Sequence, residues 1–226
     1  LGQALENVLG DIIVCAGAVS YLGVFTSEFR NDLISEWQAA LVSYKIPHTA
    51  KANLESVLGD PVKLRSWQLC NLPSDSLSTQ NGIIMDNSRR WPLLIDPQGQ
   101  ANKYIRSMSK DINFAPNGMD TVKQSDKNFL RTLENGVQFS RWVLLENIGE
   151  TLDAALEPIL LQQKFKQGGQ DMIKLGDNVV PYNDQFRFFL TTKLANPHYT
   201  PEVQVKVSLV NFTITQGGLE EQMLHV

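Results

Sequence analysis

Cysteine and histidine are both scarce in this sequence. Its 226 residues include two cysteines, Cys15 and Cys70, and three histidines, His48, His198 and His225. Two cysteines cannot form the framework of a disulfide-stabilised protein, and such low usage suits a reducing compartment. We expect both thiols to be buried, because free cysteine packs as a small hydrophobic side chain. No Cys, His or acidic pair stands at the spacing of metal ligands, so no metal site is predicted.

Long apolar runs and an excess of basic charge are also missing. The longest uncharged stretch, residues 12–27, contains two glycines and is shorter than the roughly 20 apolar residues that cross a bilayer. The net charge of −4 and the isoelectric point near 5.4 argue against a nucleic-acid binder, which usually has a basic surface. The motifs G-x-S-x-G and H-E-x-x-H do not occur. The sequence therefore predicts neither a membrane-spanning segment nor a surface that binds nucleic acid. It also predicts neither of the two hydrolase types to which these motifs belong.

The chain divides into two patterns, although its length suits one compact domain. Residues 1–90 carry apolar side chains at helical spacing, which predicts a helical N-terminal part. Residues 91–226 consist of short apolar runs followed by turns and helix-like segments, which is typical of a parallel α/β sheet. The predicted helices of the first part cover 6–21, 26–44, 52–58, 62–70 and a segment capped by Ser74 or Asp75 that ends near 81–82.

The second part predicts an α/β core over residues 91–226. Continuous apolar runs such as WPLLI and WVLLE indicate strands that are buried on both faces. The predicted strands cover 91–95, 119–123, 142–145, 187–191 and 205–214. The predicted helices cover 99–109, 125–139 and 152–163, with an additional hairpin over 172–180.

The turn after the first predicted strand stands where a phosphate-binding loop would lie. Ligands of parallel α/β sheets bind at the carboxyl ends of the strands, and this turn has the context of a G-x-x-x-x-G-K-[ST] loop. Its residues do not match that loop, and only a central Pro-x-Gly suits it. The eight positions are Asp96, Pro97, Gln98, Gly99, Gln100, Ala101, Asn102 and Lys103.

Each departure from the loop removes an interaction with phosphate. Neutral Asn102 cannot replace the charge-assisted contacts of a lysine, which are worth about 1.5–3 kcal/mol. Asp96 adds repulsion of roughly 3 kcal/mol against one phosphate charge at about 6 Å and an effective dielectric near 20. Lys103 places an amine where a hydroxyl should bind Mg²⁺. We expect ATP affinity to be at least three orders of magnitude below that of an intact loop.

Two further strand ends carry polar residues. A magnesium-binding strand of this kind ends in Asp-Glu, and here Glu146 and Asn147 take those positions. Glu146 can still approach a metal, but Asn147 cannot act as a base. Thr192 and Asn196 follow the fourth predicted strand and could bind a phosphate or a water molecule. Polar residues end most strands, so this last signal is weak.

The same residues also have simpler, purely structural interpretations. Asp96 and Lys103 are either remnants of a phosphate site or parts of a solvated turn and first helical turn, and the solvated turn is favoured. Glu146 is more often a carboxylate that pairs locally than a metal ligand.

These fragments, in this order, resemble the core of the AAA+ ATPases and in particular the fifth AAA+ module of a dynein heavy chain. The segments IDPQGQANKYI and TTKLANPHY resemble the corresponding segments of axonemal dyneins more than those of cytoplasmic dyneins. The segments that carry the resemblance are YLGVFTSEFR, LPSDSLSTQNGI, RWPLLIDPQGQANKYI, FLRTLENGVQF, VLLENIGETLDAALEPIL, FLTTKLANPHYTPEV and VNFTITQGGLEEQML.

The resemblance implies a five-stranded parallel sheet of order 5-1-4-3-2, flanked by helices, in the large subdomain of a module that binds no nucleotide or other cofactor. It implies that Asp96–Lys103 is a degenerate Walker A loop, that Glu146 and Asn147 form a degenerate Walker B end, and that Thr192 and Asn196 are sensor-I-like. An arginine finger would lie after the fourth strand, but no Arg follows Arg187, and Lys193 and Lys206 lack its planar fork. No catalytic residue is therefore expected.

The resemblance also implies partners and a location. The partners would be the fourth and sixth modules of the same ring, the microtubule-binding stalk and, through the parent chain, dynein intermediate and light chains and microtubules. The location would be the cytoplasm and cytoskeleton, with the ciliary axoneme as the specific site. The missing initiator Met and the ending GLEEQMLHV indicate a piece of a longer protein. We expect the helical small subdomain, with any sensor-II residue, to begin at that ending and to lie outside this sequence.

Three functions follow as hypotheses. The first is a non-catalytic structural module that couples rearrangements of a motor ring to the stalk. The second is a weak nucleotide-binding ATPase that uses Glu146 and Thr192 without a P-loop lysine. The third is a partner-binding α/β module that reuses the inactive phosphate cleft.

Overall fold

The computed structural model describes residues 2–214 and 219–220, with side chains from residue 5 onward in those ranges. Contacts group the described residues into two units. One unit comprises the residues up to Ser88 together with those from Ile214 onward, and the other comprises Arg89–Thr213. The predicted start of a small subdomain at 218–226 lies outside the described residues, apart from Leu219 and Glu220.

The first unit is helical, as its apolar spacing predicts. Asp60 and Asp75 cap two of its helices, accepting hydrogen bonds from Val62 N at 2.9 Å and Ser78 N at 3.0 Å. Cys15 and Cys70 are not joined in a disulfide, and both are buried, as predicted. Its helices up to Ser88 are α1 (Gly2–Tyr21), α2 (Ser27–Ser43), α3 (Leu54–Leu58), α4 (Pro61–Leu69) and α5 (Ser76–Asn87).

Helix α5 continues beyond its predicted end near 81–82. Both residues lie in the helix interior, and Asn81 is 1% exposed. A Cβ atom added to Gly82 would lie 2.9 Å from Cε3 of Trp67, so this glycine provides room for the Trp67 ring. The Asn-Gly pair therefore serves packing and does not end the helix.

Arg30 of α2 is fully buried in the first unit. Its Nη2 donates to Gly23 O at 2.9 Å and Asn81 Oδ1 at 2.7 Å, and its Nε donates to Phe25 O at 3.0 Å. Its Nη1 donates to Gln80 Oε1 at 3.4 Å. Burial lowers the pKa of Arg30 to about 10. One guanidinium thus joins the α1–α2 connection to α5 through neutral acceptors.

The second unit contains the predicted α/β sheet. Its elements are β1 (Pro92–Ile95), α6 (Gln100–Met108), β2 (Met119–Lys123), α7 (Phe129–Gln138), β3 (Trp142–Glu146), a 3-10 turn (Ala154–Leu156), α8 (Glu157–Leu160), β4 (Lys164–Gln167), β5 (Gln170–Leu175), β6 (Asn178–Pro181), β7 (Arg187–Thr192), α9 (Pro201–Lys206) and β8 (Ser208–Asn211).

The five parallel strands have the order β2-β3-β7-β1-β8. When these five strands are numbered one to five along the chain and the sheet is read from β8 to β2, this order is 5-1-4-3-2. The predicted α/β fold is therefore confirmed. Leu93 in the inner strand β1 lies opposite Leu190 of β7 and Leu209 of β8. Leu93 and Leu190 are fully buried, and each side chain of this kind stabilises the fold by about 1.5–3 kcal/mol.

Four segments of this unit differ from prediction. The helix predicted over 125–139 begins only at Phe129. The helix predicted over 152–163 is only the 3-10 turn and the single turn α8, which begins at Glu157 and has Pro158, a residue without an N–H group, at its second position. The predicted hairpin is part of a three-stranded antiparallel sheet, β4-β5-β6. The last strand is shorter than 205–214, because Pro201 starts helix α9, which ends at Lys206. Among residues 2–214, no helix is long and apolar enough to cross a bilayer.

Candidate functional site

The sheet brings four strand ends to one edge. Because β1, β2, β3 and β7 are parallel neighbours, their carboxyl ends meet there, where ligands of such sheets bind. A cavity of about 310 Å³ lies at this edge. It is lined by Asp96, Gly99, Asn102, Lys123, Glu146, Asn147, Thr191, Thr192 and Lys193. The structure thus brings together six predicted site residues, which come from both halves of the degenerate loop and from two other strand ends.

Asp96 is the first residue of the β1–α6 turn. Its backbone N–H donates to Thr192 O at 2.9 Å, which fixes the turn to the end of β7. Its carboxylate folds back over the first turn of α6, where Oδ2 accepts a hydrogen bond from Asn102 N at 2.8 Å. The side chain is only 3% exposed. The favoured interpretation of a solvated turn is therefore wrong for Asp96, because the carboxylate is directed to the helix amides and away from solvent.

Burial raises the pKa of the Asp96 carboxyl above its ordinary value. The backbone amides of Asn102, Ala101, Gln100 and Gly99 oppose this rise in part, since they stabilise the ionised form. The other carboxylate oxygen, Oδ1, has no hydrogen-bond partner among the described residues. Asp96 is thus a buried acid that is stabilised mainly by a helix N-terminus.

The remaining loop residues have different surroundings. Pro97 is half-buried, and Ala101 is fully buried on the inner face of α6. Lys103 is exposed in the first turn of α6 and does not line the cavity, in agreement with the simpler interpretation.

Gly99 has a special role in the turn, because it precedes α6 with a φ of 80° and a ψ of 19°. A Cβ atom added at Gly99 would meet no heavy atom within 4 Å, so the backbone conformation alone requires glycine.

We expect Gly99→Ala to lower the free energy of unfolding by about 1–2 kcal/mol, because an L-residue is strained in the left-handed region. The matched control is Gly149→Ala, where the added Cβ also meets nothing within 4 Å and φ lies outside that region. The control should change stability by no more than about 0.5 kcal/mol. Urea denaturation measures both, and equal losses in the two variants would contradict the assignment.

Glu146 pairs locally, as the simpler interpretation predicts. Its Oε1 accepts hydrogen bonds from Asn102 Nδ2 and from Arg106 Nη2, the latter at 2.8 Å. Burial by itself raises the pKa of Glu146, but these two hydrogen bonds and the charges of Arg106 and Lys123 bring it below its ordinary value. In the described part of the chain, no group of three or more His, Cys, Asp or Glu side chains could hold a metal ion.

Asn147 follows β3 in the left-handed region, with a φ of 55°. Asparagine adopts this conformation more readily than most residues, which supplies a backbone reason for its presence. Its side chain is exposed. An exposed amide at this position can neither take a proton from water nor carry charge to a metal.

Thr192 is fully buried, and its hydroxyl is engaged by the protein. Oγ1 donates to Ile148 O at 2.7 Å and accepts from Leu194 N at 3.2 Å. Asn196 lies in the exposed loop after β7 and is not among the residues that line the cavity. The structure therefore brings Thr192 to the site but does not bring Asn196 there.

The sequence interpretation missed Arg106 and Lys123. Arg106 is four residues after Asn102, so the two lie on one face of α6, and Arg106 Nε donates to Asn102 Oδ1 at 2.7 Å. The four-residue spacing of Asn102 and Arg106 was the sequence signal from which Arg106 could have been predicted. Lys123 ends β2 beside Glu146 of β3, which only the strand register reveals.

Comparison with known proteins identifies the family. The family described as the ATP-binding dynein motor region matches residues 65–226. The chain belongs to this dynein family. It is 52% identical over 224 residues to dynein axonemal heavy chain 1 of Rattus norvegicus, covering 99% of this chain and 5% of the relative. It is 50% identical over 226 residues to dynein axonemal heavy chain 3 of Mus musculus, covering 100% of this chain and 5% of the relative.

A more distant relative comes from an alga. The chain is 42% identical over 222 residues to the dynein-1-beta heavy chain of the flagellar inner arm I1 complex of Chlamydomonas reinhardtii, with 98% of this chain and 5% of the relative covered. The chain thus spans about 5% of the length of these curated relatives. The predicted dynein AAA+ module of axonemal type is confirmed, and with it the cytoskeletal location in a ciliary axoneme.

Proposed function

We propose that this dynein module is non-catalytic and acts as a structural part of the motor ring. In that role it is the fifth AAA+ module, needs no cofactor of its own, and transmits ATP-driven rearrangements to the microtubule-binding stalk in ciliary movement. Its partners are the fourth and sixth modules, the stalk and, through the parent chain, intermediate and light chains and microtubules. Such coupling requires packed interfaces with discrete arrangements and no reactive group.

One observation carries the proposal, namely that the protein's own side chains occupy the phosphate end of the cleft. The Asp96 carboxylate takes the hydrogen bond of Asn102 N, and Glu146 is bound by Asn102 and Arg106. No residue at the end of β3 supplies a free carboxylate for activating water, since Asn147 follows Glu146 directly. The cleft therefore favours neither phosphate binding nor hydrolysis.

A second candidate is weak nucleotide binding. The family's printed description as ATP-binding favours it, and so does the cavity of about 310 Å³ with Lys123 and Lys193 in its lining. Against it stand Asp96, whose charge repels phosphate, and Thr192, whose hydroxyl is already engaged.

The two candidates differ in thermal denaturation. We expect the melting temperature of this chain to change by less than about 1 °C in 10 mM Mg-ATP or Mg-ADP. A ligand at 100 times its dissociation constant stabilises by about 2.7 kcal/mol. In a chain of this size, that corresponds to a rise of roughly 5–10 °C.

The control is a titration with sodium chloride at equal ionic strength, which shows the effect of salt alone. A nucleotide-specific rise of several degrees would favour the second candidate and overturn the proposed lack of binding.

A further inference from the structure

The loop that joins β7 to α9 ends in a threonine followed by a proline. Of the ten prolines in the sequence, only Pro201 follows a serine or a threonine, namely Thr200. We propose that Thr200 is a phosphorylation site for a proline-directed protein kinase. This inference goes beyond the proposed function and does not depend on it, because Thr200 is not among the residues that line the cavity at the strand ends.

The hydroxyl of Thr200 is accessible to an enzyme. The side chain is exposed, and within the described part of the chain its hydroxyl forms no hydrogen bond, although Thr200 directly precedes α9. Several other hydroxyls of this chain each donate to a backbone carbonyl oxygen three or four residues earlier, as in Ser35, Ser43, Ser66, Ser109 and Thr132. The Thr200 hydroxyl breaks no such bond when it accepts a phosphoryl group.

The backbone at Thr200 already has the extended conformation that suits a kinase cleft. Its φ is −62° and its ψ is 152°, as expected for a residue before proline. Successive side chains of an extended segment point to opposite sides, and accordingly Tyr199 is 5% exposed while Thr200 faces solvent. Pro201 is also exposed. A kinase pocket without an acceptor selects proline at this position, because any other residue would bury an unpaired N–H there.

Helix α9, which follows Thr200, is weakly anchored. It has six residues, and none of them is buried. Arg90 Nη1 donates to Gln204 O and to Val205 O, at 3.3 Å in each case. Lys206 Nζ lies 2.9 Å from Glu157 Oε1. An element without buried side chains opens at low cost, so a kinase can reach the residues after Thr200 without unfolding the sheet.

The modification transfers the γ-phosphoryl group of Mg-ATP, bound by the kinase, to Thr200 Oγ1. A bond forms between Oγ1 and the γ-phosphorus, while the bond from that phosphorus to the bridging oxygen of ADP breaks and the hydroxyl proton passes to the base of the kinase. The products are phosphothreonine, ADP and a proton. The phosphate adds a charge of about −1.5 to −2 at neutral pH, next to a helix whose first turn already contains Glu202. Phosphorylation therefore makes this surface strongly negative.

The test incubates the folded chain with a purified cyclin-dependent protein kinase and Mg-ATP, and tandem mass spectrometry locates the phosphate. We expect phosphate on Thr200 and none in Thr200→Ala. Pro201→Ala retains the hydroxyl and places a good helix former at the start of α9. It should be phosphorylated at least about tenfold more slowly, because its N–H meets no acceptor in the kinase pocket. The same treatment of a whole dynein heavy chain that contains this sequence should also modify Thr200.

Thr151 is the internal control, because it is an exposed threonine that is followed by Leu152. It should remain unmodified. A synthetic peptide of residues 194–207 gives the rate without the fold, and the folded chain should react within about a hundredfold of it if α9 opens easily. The inference fails if the folded chain is slower than that, if Pro201→Ala reacts as fast as the unchanged chain, or if Thr151 is modified equally. A heavy chain that is not modified at Thr200 would also overturn it, since the loop would then be covered in the whole protein.

Discussion

A chain carrying Asp96→Gly, Ala101→Gly, Asn102→Lys and Lys103→Thr is expected to bind Mg-ATP with a dissociation constant in the micromolar-to-millimolar range. These substitutions restore the sequence G-x-x-x-x-G-K-T on a turn that already has the strand-turn-helix geometry. The unchanged chain is expected to show no binding in the same titration. The difference of three or more orders of magnitude is the largest effect that we predict.

Two contributions give this magnitude. Removing Asp96 abolishes repulsion of roughly 3 kcal/mol per phosphate charge at about 6 Å and an effective dielectric near 20. Introducing a lysine at position 102 adds charge-assisted contacts of about 1.5–3 kcal/mol. The sum exceeds 4.2 kcal/mol, and each 1.4 kcal/mol corresponds to about a factor of ten in affinity.

The matched control retains Asn102 and changes the other three residues. Without the lysine, binding should be at least about tenfold weaker than in the fourfold variant. Hydrolysis should appear in neither variant, because Asn147 still provides no carboxylate for activating water. A fourfold variant that folds and binds no nucleotide would show that this turn is not a converted phosphate-binding loop.

Much of the sheet could be predicted because its strands are buried on both faces. The runs WPLLI and WVLLE are continuous apolar segments, and they became β1 and β3 within one residue of the predicted bounds. Local pattern was sufficient there, because burial in a parallel sheet demands apolar side chains at every position. The sheet order came from the family resemblance, since apolar runs do not specify which strands are neighbours.

The contacts inside the site could not be predicted in the same way. A sequence shows that Asp96 precedes a helix, but it does not show whether the carboxylate faces water or the helix amides. The loop backbone decides this through the left-handed Gly99. Similarly, the pairing of Glu146 with Arg106 joins residues 40 positions apart, which depends on α6 lying beside β3.

Substitution of Arg30 gives the largest expected loss of stability. We expect Arg30→Ala to lower the free energy of unfolding by about 3–5 kcal/mol, because hydrogen bonds to a charged group are worth about 1.5–3 kcal/mol each and the effects of neighbouring bonds do not add fully. The carbonyl oxygens of Gly23 and Phe25 lose the hydrogen bonds that Arg30 provides inside a buried site. The variant also leaves a cavity. A loss of this size is a large fraction of the usual 5–15 kcal/mol of a folded domain.

Arg30→Met separates the two causes, because methionine refills most of the volume but donates no hydrogen bond. If hydrogen bonding dominates, urea denaturation should show that Arg30→Met recovers only a minor part of the loss. Arg65→Ala is the control, since Arg65 is exposed on α4, and it should change stability by no more than about 0.5 kcal/mol.

The position of the Arg30 contacts predicts where the loss should be seen. All four acceptors, Gly23, Phe25, Gln80 and Asn81, belong to the helical unit that extends to Ser88. Amide hydrogen exchange should therefore accelerate in α2 and α5 more than in β1, β3 and β7, because local opening follows the contacts that are lost. Equal acceleration in both units would show that they unfold as one cooperative body, and a loss below about 1 kcal/mol would show that water replaces the guanidinium at little cost.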